Sequence, residues 1–300
     1  MRKTLVPPIR PLSAYRIGRH ALRVLANSTR GQVAGVFKGG IYLDLDDNWC
    51  CITSRGASAG PANICTPFFG GMDILQGCKV TVSRNRNIII GRYLRVETVT
   101  ADLWLPPKID WTPKTLNLGL NAVDKMCVDS IPECGLSGAV WPVHPRWRRL
   151  PAEYYAAMPV IRSLSAWLES SLMSSIVKPP PTNCGDLLGL GPGLTPSGDD
   201  FLIGMLIALA TIGRLDISAI LGDAIEPFLC SNTGPISCLY LKTALNGEAN
   251  EQLHLMINFV LGGHLRQIRP QLGIISSIGH SSGWDSLAGA MIVLRALRPT

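Results

Sequence analysis

The chain has 300 residues, of which 47% are hydrophobic and 16% are charged. This length is enough for two domains of ordinary size, and the composition excludes a disordered chain. The formal net charge of +7 leaves small anions, an acidic protein or nucleic acid as ligand classes. Because the basic residues are scattered, apart from one cluster at 144–149, we expect no nucleic-acid partner.

The nine cysteines form no CxxC pair and the five histidines are dispersed, so the sequence lacks zinc-ligand spacing. Free, buried thiols in a reducing cytoplasm are the simplest interpretation. The N-terminus lacks the apolar segment of a signal peptide. The apolar run 201–213 is shorter than the roughly 20 residues that span a bilayer. We therefore expect a cytoplasmic protein with no membrane partner.

The N-terminal part of the chain has the pattern of short strands. Runs rich in β-forming residues recur at similar spacing, separated by Gly or Asp-Asn turns, at 32–38, 40–45, 49–53, 78–83, 87–90 and 94–101. This pattern predicts a small β-barrel or sandwich-like domain over residues 1–110. The Gly-rich segment 54–64 interrupts the series and is either a plain connection or part of a binding site.

Residues 111–150 are interpreted as a junction, and residues 151–300 as a mostly α-helical domain. In the junction, the spacing of apolar residues predicts one helix over 115–129. One or two helices are predicted over 152–176, with Pro159 at a start or a kink. Further helical patterns occur near 200–213, 215–229, 235–247, 250–261 and 284–298. The predicted fold class is therefore α+β.

A glycine-rich segment, GLGPGLTPSGDD at 189–200, precedes the apolar run. This segment overlaps the sequence SGDDFLIGMLIAL. A similar sequence, SGWDSLAGAMIVL, occurs near the C-terminus at an offset of 85 residues. Gly204 and Gly289 are among the matching positions. Because glycine within a helix lets a second helix approach closely, we predict that the two helices pack together at these glycines.

Helix capping explains part of this motif. Ser-x-x-Asp before an apolar run is typical of a capping box, in which the serine accepts an amide hydrogen and the aspartate reaches back. In this interpretation Asp200 and Asp285 are capping residues and Asp199 is not. Capping does not require the loop glycines, nor Gly198 in the first turn, where glycine costs roughly 0.5–1 kcal/mol relative to alanine.

An anion site is the alternative that we favour, because bare amides at a helix N-terminus bind anions. If both N-termini face one cavity, loop amides, hydroxyl groups and carboxylates would line it. The predicted substrate-binding residues are Gly191, Gly193, Thr195, Ser197, Gly198, Ser281, Ser282 and Asp285, and the predicted catalytic residues are Asp199, Asp200 and His280. The carboxylates could bind amide hydrogens, ammonium hydrogens or a magnesium ion, so the metal stays open; no other cofactor is indicated. The absence of a lysine after the glycines argues against a P-loop.

The two motifs, with the segment containing Thr233 and Ser237 between them, resemble a bacterial domain-of-unknown-function family. That family includes a subunit of oxamate carbamoyltransferase, which acts in the degradation of allantoin and oxalurate during purine catabolism. The resemblance spans roughly residues 30–298 and is strongest in the glycine motifs.

The resemblance implies a carbamoyl transfer that interconverts oxalurate plus phosphate with oxamate plus carbamoyl phosphate. It also implies small anionic substrates, other subunits of a transferase complex as partners, and a homo-oligomer as a further option. It assigns no catalytic residue, so the candidate residues rest on their chemistry alone. The alternative function is a non-catalytic module that binds an anion or a nucleotide and assembles partner subunits.

Overall fold

The computed structural model describes residues 10–37, 39–67, 74–128, 130–141 and 150–298. The basic cluster at 144–149 lies outside these residues. The chain divides into two compact units, Met1–Leu105 and Pro106–Thr300. The first contains the strands and the second contains most of the helices, which confirms the predicted α+β class.

The N-terminal unit is built on one ten-stranded sheet. Its strands are β1 (Arg10–Ser13), β2 (Arg16–Gly18), β3 (Arg30–Phe37), β4 (Gly40–Leu45), β5 (Asn48–Ser54), β6 (Asn63–Thr66), β7 (Lys79–Val82), β8 (Ile88–Ile90), β9 (Leu94–Glu97) and β10 (Asp102–Trp104). Their order across the sheet is β1-β9-β8-β7-β3-β4-β5-β6-β2-β10. Helix α1 (Arg19–Asn27) buries its apolar side chains in the same core as the sheet.

Chain connectivity forces this sheet to curl. Strand β1 is one edge and β2 lies beside the opposite edge, yet only Ala14 and Tyr15 separate them. Such a link spans roughly 10 Å at most, so the two ends must come close. The Ala14 N–H donates to Glu97 O in β9 at 2.8 Å, and the Tyr15 N–H donates to Cys65 O in β6 at 2.9 Å. The domain is therefore a single curled sheet rather than a sandwich.

The Gly-rich segment 54–64 leads from β5 into β6 and has a packing role. A Cβ on Gly18 would lie 2.1 Å from Gly60 O, so the two backbones touch there. The Ala21 N–H donates to Pro61 O at 3.0 Å, which fixes the start of α1 against this segment. The role of the segment in ligand binding stays a prediction.

The C-terminal unit is a bundle of helices around one large apolar core. The helices are α2 (Pro113–Met126), α3 (Ala152–Leu172), α4 (Ser197–Thr211), α5 (Leu215–Ile225), α6 (Leu229–Asn232), α7 (Pro235–Ala244), α8 (Glu251–Leu261), α9 (Leu265–Ile275) and α10 (Ser282–Ala296). The predicted helix over 115–129 is confirmed as α2, and α3 is one helix with Pro159 inside it. Within the described part of the chain, no helix is long and apolar enough to cross a membrane.

Helices α4 and α10 form the most extensive helix contact of the core. A Cβ on Gly204 would lie 1.8 Å from Ser286 O, and a Cβ on Gly289 would lie 1.9 Å from Phe201 O. Ser286 is the counterpart of Phe201 at the repeat offset, so the two contacts are equivalent. The predicted packing of the helices at these glycines is confirmed. The two repeated helices contact each other through equivalent positions, as a pair related by an approximate twofold axis does.

The repeat extends into the segments that lead to the two helices. A Cβ on Gly198 would lie 2.0 Å from Leu187 O, and a Cβ on Gly283 would lie 2.1 Å from Ile275 O. Each glycine thus lets the first turn of its helix rest directly on the preceding backbone. The segment from Leu187 to Gly198 is three residues longer than that from Ile275 to Gly283, and the excess lies in the glycine loop.

Gly204→Ala should destabilise the protein strongly, because its methyl group would overlap the carbonyl of Ser286. We expect a loss of at least about 3 kcal/mol in the free energy of unfolding. Gly273→Ala in α9 is the matched control, since a Cβ there meets open space, and it should stabilise by about 0.5–1 kcal/mol. Urea unfolding measures both changes. Equal stabilities of the Gly204→Ala protein and the wild type would contradict the backbone contact.

Candidate functional site

Helices α4 and α10 begin at the serines of the two motifs. Ser197 and Ser282 therefore occupy the first helical position rather than the N-cap, and neither N-cap residue makes a side-chain cap hydrogen bond. The capping-box interpretation is wrong, because Asp200 and Asp285 lie one position beyond the N3 site that the box uses. In α4, Asp199 occupies N3.

Several of the amides that we expected to face an anion are already bonded within the protein. The Gly198 N–H donates to Leu190 O at 2.9 Å, and the Gly283 N–H donates to Ile278 O at 3.1 Å. These amides satisfy the backbone of the lead-in segments. Anion binding by the remaining amides of the loop, including those of Gly191 and Gly193, stays a prediction.

The glycine loop needs its glycines for conformational reasons. Gly189, Gly191 and Gly193 have φ angles of +73°, +111° and +100°, in the region that side chains disfavour. Gly191 is also crowded, because a Cβ there would lie 3.0 Å from Ser197 N. These conformations explain why the segment has glycine at all three positions.

Asp199 is fully buried and ties this loop to the helices beside it. Its Oδ1 accepts a hydrogen bond from the Gly189 N–H at 2.8 Å. Its Oδ2 accepts from the Ser237 hydroxyl at 2.6 Å and also from the Thr233 hydroxyl. Because protein donors surround both oxygens, we interpret Asp199 as a positioning residue rather than the catalytic residue predicted from the sequence.

Asp200 and Asp285 form a buried carboxyl pair where the first turns of α4 and α10 meet. Their side chains are only 6% and 0% exposed. The Oδ2 atom of each has no hydrogen-bond partner among the described residues. Burial raises the pKa of Asp285 to about 6. Burial also raises the pKa of Asp200 well above its ordinary value, and the charge of Asp285 adds to this. Burial thus favours the protonated form of both carboxyls relative to an ordinary aspartate.

The segment at residues 134–137 covers Asp285 from the other side. The Leu136 N–H donates to Asp285 Oδ1 at 2.6 Å. Gly135 has a φ of +73°, and a Cβ there would lie 2.3 Å from the same oxygen. The thiol of Cys134 has a pKa raised by burial and by the charge of Asp285. Sequence reasoning missed this segment, and Gly135 in an irregular stretch was its only signal.

Hydroxyl groups lie between the carboxyl pair and the protein surface. Thr195 Oγ1 and Ser282 Oγ are 2.8 Å apart, and both residues are half-buried. Their hydrogen bonding to Asp200 opposes the effect of burial on its pKa. Ser281 is half-buried and His280 is exposed on the same loop before α10. Ser197 and Ser281 hydrogen-bond Asp285 in the same way, which opposes the effect of burial on its pKa. The structure thus brings four predicted hydroxyl residues and the two carboxyls together: Thr195, Ser197, Ser281 and Ser282.

Other predicted residues are placed differently. Gly198 is buried in the first turn of α4. Gly193 faces open space at the outer part of the loop. In the described ranges, no group of three or more His, Cys, Asp or Glu side chains could hold a metal ion. Magnesium binding stays a prediction.

The part of the helical unit that contains both glycine motifs matches the model of a family of transferase subunits. Residues 187–294, about a third of the chain, match the family model described as oxamate carbamoyltransferase subunit AllH. The matched stretch contains the glycine loop, both motifs and the α4–α10 pair. It confirms the resemblance inferred from the motifs and supports assigning the chain to this family. No solved structure matches the chain.

Asp199→Ala should destabilise the protein, because the Gly189 amide and the Ser237 hydroxyl would lose their buried acceptor. We expect a loss of about 2–4 kcal/mol in the free energy of unfolding. Asp223→Ala on the exposed side of α5 is the matched control and should change stability by less than about 0.5 kcal/mol. If both variants unfold at the same urea concentration as the wild type, Asp199 does not hold the loop.

Asp285 should make stability depend on pH in a defined direction. Its pKa rises from 3.8 to about 6 on folding. Its stabilising contribution to the free energy of unfolding is therefore fully present below about pH 4 and is lost as the pH rises through about 6. Asp285→Asn removes this titration while keeping an oxygen that can accept the Leu136 N–H. The fall in unfolding free energy between about pH 4 and about pH 7 should shrink by up to about 3 kcal/mol. Parallel pH profiles for variant and wild type would contradict the raised pKa.

Proposed function

We propose that this chain is a subunit of an oxamate-type carbamoyltransferase, and that the carboxyl pair Asp200–Asp285 is its acid–base group. The family match supports the first part, since it covers both helices that carry the pair. The observation that carries the second part is the buried pair itself, with two unpartnered oxygens and raised pKa values. Such carboxyls are suited to proton transfer near neutral pH.

The reaction needs a proton at one atom. When oxalurate and hydrogen phosphate react, a phosphate oxygen bonds to the ureido carbonyl carbon, and the bond from that carbon to the oxamate nitrogen breaks. The nitrogen leaves as the amide of oxamate only if it gains a proton, because an amide anion is a very poor leaving group. Hydrogen phosphate loses one proton in the same reaction, so the overall balance is neutral.

A carboxyl pair that holds a proton can serve both ends of this exchange. The protonated carboxyl gives its proton to the departing nitrogen, and the pair recovers one from hydrogen phosphate. Asp200 and Asp285 are suited to this because burial favours the protonated form of both, and the charge of Asp285 favours it further at Asp200. The reverse reaction uses the same groups in the opposite order.

Access to the pair runs through the hydroxyl groups. Both carboxyls are buried, whereas Thr195 and Ser282 are half-buried and hydrogen-bonded to each other. In this proposal, hydroxyls of Thr195 and Ser282 pass the proton between the carboxyls and a substrate bound outside them. The chain's net charge of +7 favours the approach of anionic substrates.

A non-catalytic assembly module is the second candidate function. The observation that favours it is the direct backbone contact at Gly204 and Gly289, which leaves no space between the helices at that level. In that case the two motifs would form a rigid element on which partner subunits assemble. The glycine loop, rather than the carboxyl pair, would then be the part that meets another molecule.

The transferase complex, reconstituted from this chain and its partner subunits, separates the two functions. Formation of carbamoyl phosphate from oxalurate and phosphate should fall at least about 100-fold in kcat for Asp200→Asn and for Asp285→Asn, because each removes an acid–base group. Asp223→Asn on exposed α5 should keep the wild-type rate.

Size-exclusion chromatography should show each variant in the intact complex. Full activity of both carboxyl variants in an intact complex would contradict the catalytic proposal and favour the assembly module. Loss of the complex in both variants, with Asp223→Asn unaffected, would also favour assembly.

A further inference from the structure

Two cysteines in the segment that follows α5 lie close together. Cys230 is in α6 and Cys238 is in α7, and their sulfur atoms are 3.1 Å apart. A disulfide bond has a length of about 2.05 Å, so the sulfurs need to approach by only about 1 Å. Cys230 is exposed and Cys238 is buried, so a reagent from solution meets Cys230 first.

Lys242 lies one turn beyond Cys238 on α7 and makes Cys230 more reactive. The pKa of Cys230 is lowered, chiefly by the hydrogen bond from Cys238 and further by the positive charge of Lys242. Burial raises the pKa of Cys238 to about 11, so it remains a thiol. Because the thiolate is the reactive form of cysteine, Cys230 is the nucleophile of the pair.

The remaining cysteines lack this combination of features. Burial raises the pKa of Cys50 and of Cys127 to about 12. Cys134 is half-buried, and burial together with the charge of Asp285 raises its pKa. Cys230 is the one exposed cysteine of the nine, and the buried Cys238 lies within bonding reach of it.

We propose that Cys230 and Cys238 form a reversible disulfide when the protein meets a peroxide. The Cys230 thiolate attacks one oxygen of hydrogen peroxide, which gives a sulfenic acid and hydroxide. The Cys238 sulfur then attacks the Cys230 sulfur; the S–S bond forms, the S–O bond breaks, and water leaves. In total, two thiols and one hydrogen peroxide become one disulfide and two waters. A dithiol reductant reverses the step by thiol–disulfide exchange.

The position of the pair joins its redox state to the candidate site. The segment between the two cysteines carries Thr233 and Ser237, whose hydroxyls both donate to Asp199. A disulfide closes a ring around this segment and limits the movement of both donors. The inference stands on the cysteines themselves and does not depend on the proposed transferase activity.

Peptide mapping of the folded, full-length chain tests the proposal. Trypsin cuts after Arg214 and Lys242, so one peptide contains both cysteines. After brief treatment with hydrogen peroxide, blocking with a maleimide and digestion, this peptide should have lost two hydrogens and carry no maleimide. Dithiothreitol added before blocking should restore two maleimides. The same treatment in urea should give less of this product, since the folded state holds the sulfurs together.

Single substitutions assign the two sulfurs. In Cys230→Ser, Cys238 should resist the peroxide and react with maleimide only after unfolding. In Cys238→Ser, Cys230 should accumulate as a sulfenic acid that dimedone traps. Lys242→Gln should slow disulfide formation by about threefold or more, whereas Lys242→Arg should react at the wild-type rate.

Two results would overturn the proposal. The first is that both cysteines of the wild-type peptide still take maleimide at a peroxide dose that forms the sulfenic acid in Cys238→Ser. The second is that Cys230 is oxidised to the sulfinic acid while Cys238 stays a free thiol, because this would show that the second sulfur does not reach the first.

Discussion

The contact between the backbones of α4 and α10 determines the rest of the C-terminal unit. Two glycines let the helices touch at Ser286 O and Phe201 O, at distances that exclude a methyl group. Because the contact lies within two turns of both N-termini, the first turns of the two helices also meet. Asp200 and Asp285 lie in those turns, and the close approach of the two helices buries both of them.

Burial of the carboxyl pair determines its protonation, and the surrounding segments determine how protons reach it. A carboxyl that loses its hydration favours the neutral form, and a neighbouring carboxylate strengthens that preference. The segment at 134–137 closes one side of Asp285 with an amide hydrogen bond. Hydroxyls of Thr195 and Ser282 lie against Asp200, and hydroxyls of Ser197 and Ser281 lie against Asp285. Hydroxyls can both donate and accept protons. A buried acid behind a layer of hydroxyls is the arrangement that the proposed proton transfer requires.

The sequence predicted the features that depend on local pattern or on the repeat. The packing of α4 against α10 followed from glycines at matching positions. Capping was predicted wrongly, because Ser-x-x-Asp has the same appearance whether the helix begins at the serine or one residue after it. Helix α9 was missed because Pro270 and Gly273 interrupt its pattern.

Contacts between distant parts of the chain could not be predicted. Leu136 and Asp285 are separated by 149 residues, and no pattern in either segment indicates the other. The roles of Asp199 and Asp200 depend in the same way on partners elsewhere in the chain. Adjacent in sequence, they point in different directions because successive helical residues do not share a face. Asp199 meets Ser237, whereas Asp200 meets Thr195 and Ser282.

The carbon-13 chemical shifts of the aspartate carboxyls, followed over pH and assigned with Asn variants, test the central claim most directly. We predict that Asp285 titrates near pH 6 and that the pKa of Asp200 lies well above that of an ordinary aspartate. The exposed Asp216, whose pKa is lowered to about 2 by its hydrogen bond with Arg214, should stay ionised throughout and serves as the internal reference. Titration of both Asp200 and Asp285 near pH 4 would show that they are ordinary carboxylates, and would contradict the account.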